Sequence, residues 1–510
     1  MTIAVVSGVR SLSRAALADA AARCASRLHR EGVGHGDVVA LLARNGFGYF
    51  VFNEAARMLG ACITPVNWHL KPAEVAYILA DCDPKVVIAH TDLATAEMRA
   101  AFGDRTVFIE AVAPEIAVAY GLDEAACRLL PGDTALSEAA AREPAWDNPH
   151  PAPPAALFYT SGTTGHPKAV KRDTLPPEVQ AATTERTIAA FGLGDGRVTA
   201  TVMTGPLYHS APFAYANNAL RLGGMVILQP RFDAEDLLRL IEKHRVSHLH
   251  MVPTMFTRLL ALPEEVRARY DLSSLVAVAH GAAPCPPEVK RAMIDWLGPV
   301  VREYYAMTEL GIVACSTSAE WLAHPGSVGR AAPGVSIRIM DEAGNERPPG
   351  VAGDICVRHA GTDAVYYHNA PEKSAALRRD GLVVTGDIGA LDSEGYLTIS
   401  DRRTDMILSG GVNIYPAEIE AVLLGHPMIA DAAVFGLPYA EFGEQVAAVL
   451  QLRGAIDEAE LRGYLKQRLA DFKLPRLIRH IDTLPREDSG KVRKRLLRDG
   501  WATELGVGGG

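Results

Sequence analysis

The chain has 510 residues, of which 48% are hydrophobic and 22% charged, so it can bury several cores and is too long for one ordinary domain. Its formal net charge of -9 provides no broad basic field, which argues against nucleic acid as the main partner. A small-molecule substrate suits this charge balance better.

Cysteine usage and hydropathy indicate the compartment. The seven cysteines are scattered and never spaced as CxxC, which argues against a disulfide framework or a zinc ribbon. No stretch reaches the roughly 18 apolar residues that a membrane span requires, and the N-terminus lacks the apolar core of a signal peptide. We therefore expect a cytoplasmic protein without a membrane span, and the sequence leaves open whether it forms a homodimer.

Apolar runs alternate with helix-period segments along the N-terminal part of the chain. The runs cover residues 38–43, 85–89, 197–203, 226–228 and 275–279. This alternation predicts layers of helix and largely parallel strand. Asp233 and Asp457 each precede a carboxylate by three residues and predict the starts of two helices.

The pattern changes in the C-terminal part. After about Val335, shorter strands separated by Gly and Asp turns predict a smaller β-rich unit that completes a large domain. A polar crossing at residues 401–405 begins a new block of strands and helices. We predict an α/β fold class, with an N-terminal domain of residues 1–400 and a small α+β C-terminal domain of residues 401–510.

The stretch YTSGTTGHPKAVKRD, residues 159–173, places small residues directly after the apolar end of a predicted strand. Glycines in such a loop let backbone N–H groups converge on an anion, hydroxyls add donors, and Lys168 adds a positive charge. The alternative is an ordinary solvated loop. A Walker A loop is excluded, because His166 and Pro167 separate Gly165 from Lys168.

This loop resembles the signature loop of the adenylate-forming superfamily, which includes acyl-CoA synthetases, luciferases and the adenylation domains of peptide synthetases. Four further segments match the family's motifs in the same order, at residues 305–309, 385–387, 401–411 and 485–491. Residues 38–65 and 72–80 are similar to the family's first subdomain. The resemblance implies an AMP-forming acyl-CoA ligase with a β-barrel-like subdomain and a mobile C-terminal domain.

The resemblance also implies roles for individual residues. Lys168, Glu309, Lys491 and His209 would be catalytic; Glu309 would hold Mg²⁺, and His209 would border the acyl pocket. A larger set of residues would bind the nucleotide and CoA: Thr160, Ser161, Gly162, Thr163, Thr164, Gly165, Gly281, Ala282, Ala283, Tyr305, Thr308, Asp387, Arg402, Gly410 and Gly411.

Each residue also has an ordinary structural interpretation. Glu309 could cap a helix, Asp387 could mark a turn, Tyr305 could belong to the core, and His209 could be an inert loop residue. Lys491, in the run GKVRKR, could belong to a solvated basic terminus.

The implied reaction has two steps. The carboxylate attacks the α-phosphate of Mg-ATP to give acyl-AMP and pyrophosphate, with Lys491 neutralising developing charge, and coenzyme A then displaces AMP. Two departures from the family's motifs are Ala306, where Gly is usual, and Thr404 at the hinge. Transfer to a carrier protein or other acceptor, and a degenerate nucleotide-binding homologue, are the alternatives.

The acid itself is less constrained by the sequence. Motif position places Tyr208, His209, Phe213, Ala214 and residues 280–284 at the acyl pocket. These residues are mostly apolar or small and include no Arg or Lys for a second carboxylate. A hydrophobic acid, whether fatty, aromatic or polycyclic, is the expected substrate class.

Overall fold

The structure of the chain is a computed structural model. It describes residues 2–148, 156–160, 167–194, 196, 198–403, 405–409, 412–439, 442–487 and 490–504, apart from the side chain of Asn413. Within these ranges, no helix has both the length and the apolar character needed to cross a membrane.

The first part of the chain builds a four-stranded parallel sheet, in the order β4-β3-β5-β6, and contributes two strands to a larger sheet. Its elements are β1 (Ile3–Ser7), β2 (Arg10–Ser13), α1 (Arg14–Arg30), β3 (Val38–Leu42), α2 (Phe47–Met58), β4 (Cys62–Pro65), α3 (Pro72–Cys82), β5 (Val86–His90), α4 (Ala96–Phe102), β6 (Thr106–Glu110), α5 (Pro114–Tyr120) and α6 (Leu136–Ala140).

The next part alternates strand and helix. Its elements are β7 (Phe158–Thr160), β8 (Lys168–Arg172), α7 (Pro177–Ala190), β9 (Ala200–Met203), α8 (Ser210–Arg221), β10 (Met225–Leu228), α9 (Ala234–His244), β11 (His248–Met251), α10 (Pro253–Leu260), α11 (Glu264–Arg267), β12 (Ala277–His280), α12 (Pro287–Leu297), β13 (Val301–Met307), β14 (Gly311–Thr317), α13 (Ser318–Ala323) and β15 (Gly329–Ala331).

A β-rich region follows. Its elements are β16 (Ser336–Met340), β17 (Gly353–Arg358), β18 (Val365–Tyr367), α14 (Pro371–Ala376), β19 (Arg378–Arg379), β20 (Leu382–Leu391) and β21 (Tyr396–Arg402). The C-terminal part contains β22 (Ile407–Ser409), β23 (Val412–Ile414), α15 (Pro416–Leu424), β24 (Ile429–Tyr439), β25 (Gly443–Leu452), α16 (Glu458–Lys466), β26 (Leu477–His480) and α17 (Lys494–Glu504).

A 14-stranded sheet forms the framework of the large domain, in the order β16-β17-β20-β21-β15-β14-β13-β12-β11-β9-β10-β1-β2, with β19 beside β20. The run from β13 to β1 is parallel, and its buried strands are short and almost continuously apolar because helices cover both faces. From β14 to β16 the pairing is antiparallel. The predicted change from parallel α/β layers to a β-rich unit is confirmed.

Local sequence signals account for several element boundaries. All five predicted apolar runs form strands, as β3, β5, β9, β10 and β12. Asp233 caps α9 by accepting a hydrogen bond of 2.8 Å from the Asp236 N–H, and Asp457 caps α16 through the Ala459 N–H at 3.2 Å. Both predicted helix starts are confirmed.

A five-stranded sheet forms the C-terminal domain, in the order β23-β22-β25-β24 with β26 beside β25. One of its faces packs against α15 and α16, and the other against Trp501 of α17. Strand β21 carries Asp401 and Arg402, which pair with β20 in the large sheet. The division at residue 401 stays a prediction, and the strand pairing places the crossing between the sheets after Arg402.

Candidate active site

A continuous cavity of about 2390 Å³ lies where the carboxyl ends of β12 and β13 meet the small sheet β18-β8-β7 and the C-terminal domain. Ligands favour this edge of a parallel sheet because the connecting loops diverge there. Two turns follow the two strands, at residues 281–283 and 308–309, and Ala282, Ala283, Thr308 and Glu309 line the cavity.

The turn after β12 is tightly constrained. A Cβ at Gly281 would lie 2.7 Å from the carbonyl oxygen of Tyr304, so only glycine fits there without displacing β13. The next residue, Ala282, has φ +70°, a left-handed conformation that costs energy for a residue with a side chain. These features keep the backbone close to the cavity wall, where the resemblance expects the nucleotide.

Tyr305, Asp387 and Arg402 come together on one side of the cavity. The Tyr305 hydroxyl donates a hydrogen bond of 2.5 Å to Asp387 Oδ2, and Arg402 Nε lies 3.4 Å from Asp387 Oδ1. Burial and the Asp387 carboxylate raise the pKa of Tyr305 well above its usual value, so it remains a donor. An oriented carboxylate beside an aromatic ring suits recognition of a nucleoside.

The turn after β13 is held from two directions. Arg172 donates through Nη2 to the Thr308 carbonyl at 2.5 Å and to the Glu309 carbonyl at 3.3 Å. Tyr367 donates its hydroxyl proton to Glu309 Oε1 at 2.8 Å. The hydroxyls of Ser210 and Thr308 lie 3.4 Å apart, so the start of α8 meets the same turn.

The small sheet supplies a basic and aromatic wall. Lys168 and Arg172 are four residues apart on β8, which places them on the same face, and Tyr367 pairs with Val170 of that face. Lys168 Nζ lies 5.1 Å from the centre of the Tyr367 ring. Desolvation and the nearby Lys373 ammonium lower the pKa of Lys168, an effect that the Glu309 carboxylate opposes.

The predicted phosphate loop is described only at its two ends. Thr160 and Lys168 pair across β7 and β8, and the Thr160 hydroxyl donates to the Lys168 carbonyl at 3.4 Å. Ser161, Gly162, Thr163, Thr164 and Gly165 lie outside the described residues, so their role stays a prediction. The same holds for Gly410, Gly411 and Thr404.

Lys491 enters the cavity from the C-terminal domain. Desolvation by the surrounding protein and the charge of Arg402 lower its pKa, while Glu487, Asp387 and Glu309 act in the opposite direction. Its side chain lines the cavity and is accessible to a small molecule. The lysine and the two carboxylates of the large domain, Asp387 and Glu309, thus interact electrostatically although the chain separates them widely.

The turn before Lys491 rests on the large domain. Gly490 has φ +82°, and a Cβ there would lie 3.0 Å from Thr254 Oγ1 of α10. Asp401 Oδ2, on strand β21 of the large sheet, accepts from the Ala417 N–H of α15 at 2.9 Å, and within the C-terminal domain Lys494 Nζ lies 2.8 Å from a Glu420 carboxylate oxygen. The contacts of Gly490 and Asp401 with the large domain orient the C-terminal domain so that Lys491 reaches the cavity.

His209 lies between β9 and α8, at the residue before the helix begins. Its ring is 4.5 Å from that of Tyr208, and both residues line the cavity. Phe213 and Ala214, one helical turn further on, line the cavity as well. The predicted acyl-pocket residues of this segment therefore share one surface.

Sequence reasoning missed two residues of this site, Arg172 and Tyr367. Arg172 stands in the basic run 168–172, and the two-residue period of a strand would have placed it on the face of Lys168. Tyr367 carries no comparable signal, because it is 58 residues beyond Glu309 and in no recognised motif.

Comparisons with known proteins identify related sequences over nearly the whole chain. The profile of the family described as AMP-binding enzyme matches residues 2–367, and that of the AMP-binding enzyme C-terminal domain matches residues 418–491. The chain is 34% identical over 495 residues to an indoleacetate–CoA ligase of Aromatoleum aromaticum, covering 95% of this chain and 92% of that protein.

A second relative is named for a different acyl acceptor, and a third similar protein has a crystal structure. A fatty acid–[acyl-carrier-protein] ligase, ScoC of Streptomyces coeruleorubidus, is 32% identical over 98% of this chain and 93% of its own. The crystal structure of ATP-bound MatB from Rhodopseudomonas palustris superposes with a TM-score of 0.82 at 30% identity, covering 98% of this chain and 96% of that one.

Proposed function

The chain belongs to the AMP-binding enzyme family, and we propose that, as an AMP-forming acid–CoA ligase, it activates a hydrophobic carboxylic acid with Mg-ATP and transfers the acyl group to coenzyme A. The observation that carries this proposal is the meeting of Lys491 with Glu309, Asp387 and Arg402 at one cavity. A nucleotide-binding homologue without catalysis would not need a lysine from the second domain at that point.

In the first step, the substrate carboxylate attacks the α-phosphate and pyrophosphate leaves. Asp387, already accepting from Tyr305, would bind the ribose hydroxyls, and Thr308 would lie near the α-phosphate. Lys168 and Lys491 would neutralise charge on the phosphate oxygens as the pentavalent centre forms. Partial desolvation lowers the pKa of both lysines, and nearby carboxylates oppose that shift.

The residues present fit a magnesium ion bound together with the nucleotide. Glu309 offers a carboxylate whose Oε1 accepts from Tyr367, leaving Oε2 for a ligand. Among the described residues no group of three or more His, Cys, Asp or Glu side chains could hold a metal by itself. Mg²⁺ is commonly held by one or two carboxylates together with substrate phosphates, where it polarises the phosphoryl oxygens.

In the second step, the C-terminal domain, residues 401–510, would turn about the crossing after Arg402 and present another surface. Gly410 and Gly411, which the resemblance assigns to nucleotide and CoA binding, lie outside the described residues. Leu408 and Val412, the described residues near them in sequence, are 50% and 43% exposed. Large apolar side chains so exposed favour a surface that packs against something in another orientation.

The acid is expected to be hydrophobic because the walls near His209 are apolar. Tyr208, Phe213, Ala214 and Pro284 line the cavity there, and the ring of Phe158 lies 5.5 Å from that of Phe213. The names of the relatives specify different kinds of acid. The similarity to them therefore does not indicate which acid this chain activates.

The test is a panel of fatty, aryl and polycyclic acids incubated with ATP and CoA, with AMP as the product measured. We expect AMP and an acyl-CoA thioester with at least one acid, and neither product when Mg²⁺ is chelated. AMP formation that depends on an acyl carrier protein and never on CoA would instead support the carrier-protein alternative. No AMP with any acid or acceptor would contradict the proposed function.

A further inference from the structure

Helix α7 forms one wall of the cavity and follows directly after the strand that carries Lys168 and Arg172. Its cavity-lining residues are Gln180, Thr183, Thr184 and Thr187, and Phe191 continues the line just beyond the helix. The spacing of i, i+3, i+4 and i+7 places them on one face of the helix. At 1.5 Å per residue, the polar part of this face is about 10 Å long.

The inner end of this wall is aromatic. The ring of Phe191 lies 5.2 Å from Tyr304, 5.3 Å from Tyr215 and 5.6 Å from His250, each edge to face. His250 Nε2 and the Tyr304 hydroxyl form a hydrogen bond of 2.7 Å between two buried side chains. This satisfied and rigid cluster fixes the floor of the cavity next to β13.

The rest of the wall is polar but uncharged, which is unusual for a surface that would hold a hydrocarbon chain. Thr183, Thr184 and Thr187 are half-buried, and Gln180 is exposed at the outer end. The Thr187 hydroxyl donates to the Thr183 carbonyl at 2.9 Å, so its oxygen is left to accept. No described residue makes a hydrogen bond with the side chain of Thr184 or Gln180.

An alkyl tail packed against this face would displace water from these hydroxyls without offering a hydrogen bond. The loss costs free energy for each polar group. A hydroxyl or oxo group on the substrate would replace that water. The face itself carries no cation that would pair with a second carboxylate. Phe213 and Ala214, which line the same cavity, are apolar and would accept the carbon skeleton.

We propose that the face of Gln180, Thr183, Thr184 and Thr187 determines specificity by hydrogen bonding to a neutral oxygen substituent on the acid. The substrate class is then a carboxylic acid with an apolar, ring-containing or chain body that carries a hydroxyl or oxo group away from the carboxylate. This inference rests on the proposed ligase function and narrows it.

The test uses two matched pairs of acids, phenylpropanoate with its 4-hydroxy derivative and decanoate with 10-hydroxydecanoate, each assayed for AMP formation with ATP and CoA. Wild-type enzyme is expected to prefer the hydroxylated member of at least one pair by about tenfold in kcat/KM. Thr184→Val and Thr187→Val keep the side-chain shape and remove one hydroxyl each. At least one of them should lower kcat/KM about tenfold for the preferred hydroxy acid and less than about twofold for its partner.

Thr184→Ser and Thr187→Ser are the matched controls, since each keeps the hydroxyl and should keep the preference. The inference is wrong if wild-type enzyme turns over both members of each pair equally, or if the valine variants lower both members by the same factor. Either of those two results is compatible with the proposed ligase function. No AMP with any acid of the wider panel would contradict the ligase function, and the inference with it.

Discussion

Tyr367 donates a hydrogen bond of 2.8 Å to Glu309 Oε1 and thereby joins strand β18 to the turn after β13. The same tyrosine presents its ring to Lys168 at 5.1 Å. Burial and the Glu309 charge raise its pKa, so the phenol stays protonated and continues to donate at all physiological pH values. One neutral side chain thus orients the proposed metal-binding carboxylate and contacts the proposed phosphate-binding lysine.

Tyr367→Phe should weaken the response to Mg²⁺. Without the phenol, Glu309 loses a charge-assisted hydrogen bond and becomes less restrained, so the Mg²⁺ concentration for half-maximal pyrophosphate release should rise about tenfold. The neighbouring Tyr366→Phe is the matched control, because Tyr366 lies on the other face of β18 and pairs with Lys171. An unchanged Mg²⁺ dependence in Tyr367→Phe would show that Tyr367 does not position the Glu309 carboxylate for Mg²⁺.

Gly490→Ala should slow the first half-reaction. A residue with a side chain is strained at φ +82°, and its Cβ would lie 3.0 Å from Thr254 Oγ1, so the orientation that brings Lys491 to the cavity becomes less favourable. The left-handed strain alone costs about 1–2 kcal/mol. We expect pyrophosphate release to fall about tenfold or more, with a smaller effect on thioester formation from supplied acyl-AMP.

Two further variants separate these causes. Gly463→Ala is a control in α16, where a Cβ meets no atom within 4 Å, and should change neither half-reaction. Adding Thr254→Ala to Gly490→Ala removes the contact and should recover part of the lost rate. Equal loss in both half-reactions would show that Gly490 matters for folding rather than for the orientation of the domain.

Asp401→Asn should alter the pH dependence of stability. Burial raises the pKa of Asp401 from 3.8 to about 6, although Lys494 and the Ala417 N–H oppose the shift and Glu420 adds to it. Between these pH values the folded state retains a proton that the unfolded state has released, so this group's contribution is present below about pH 4 and is lost as pH rises through 6. The loss is at most about 3 kcal/mol.

Asparagine does not titrate, so the thermal midpoint of Asp401→Asn minus that of wild type should increase from pH 4 to pH 6.5. Scanning calorimetry across this range measures the difference directly. Asp482→Asn, an exposed site in the C-terminal domain, controls for a general effect of removing one carboxylate. A constant difference between Asp401→Asn and wild type would contradict the raised pKa.

Much of the framework could be predicted from the sequence, because its signals are local. The apolar runs at residues 38–43 and 275–279 became buried parallel strands, and Asp233 and Asp457 capped helices as expected. The family motifs also placed Tyr305, Asp387 and Arg402 at one site, although their roles toward a nucleotide stay predictions.

Contacts that depend on tertiary placement could not be predicted in this way. The bond from Arg172 to the Thr308 carbonyl spans 136 residues and exists only because the small sheet lies beside β13. Asp401 and Arg402 look like a polar linker in sequence, yet their backbone pairs with β20. The polar face of α7 was not predicted to bind substrate, because that prediction requires knowing which side of the helix faces the cavity.

Lys491 is proposed to serve the first half-reaction from the C-terminal domain. The decisive experiment compares pyrophosphate release from acid plus ATP with thioester formation from supplied acyl-AMP and CoA, in wild type, Lys491→Ala and the control Lys466→Ala, an exposed lysine of α16 that does not line the cavity. We predict that Lys491→Ala lowers pyrophosphate release by about a hundredfold or more and leaves thioester formation within about threefold of wild type. Pyrophosphate release at the wild-type rate in Lys491→Ala would show that Lys491 has no role in the first half-reaction.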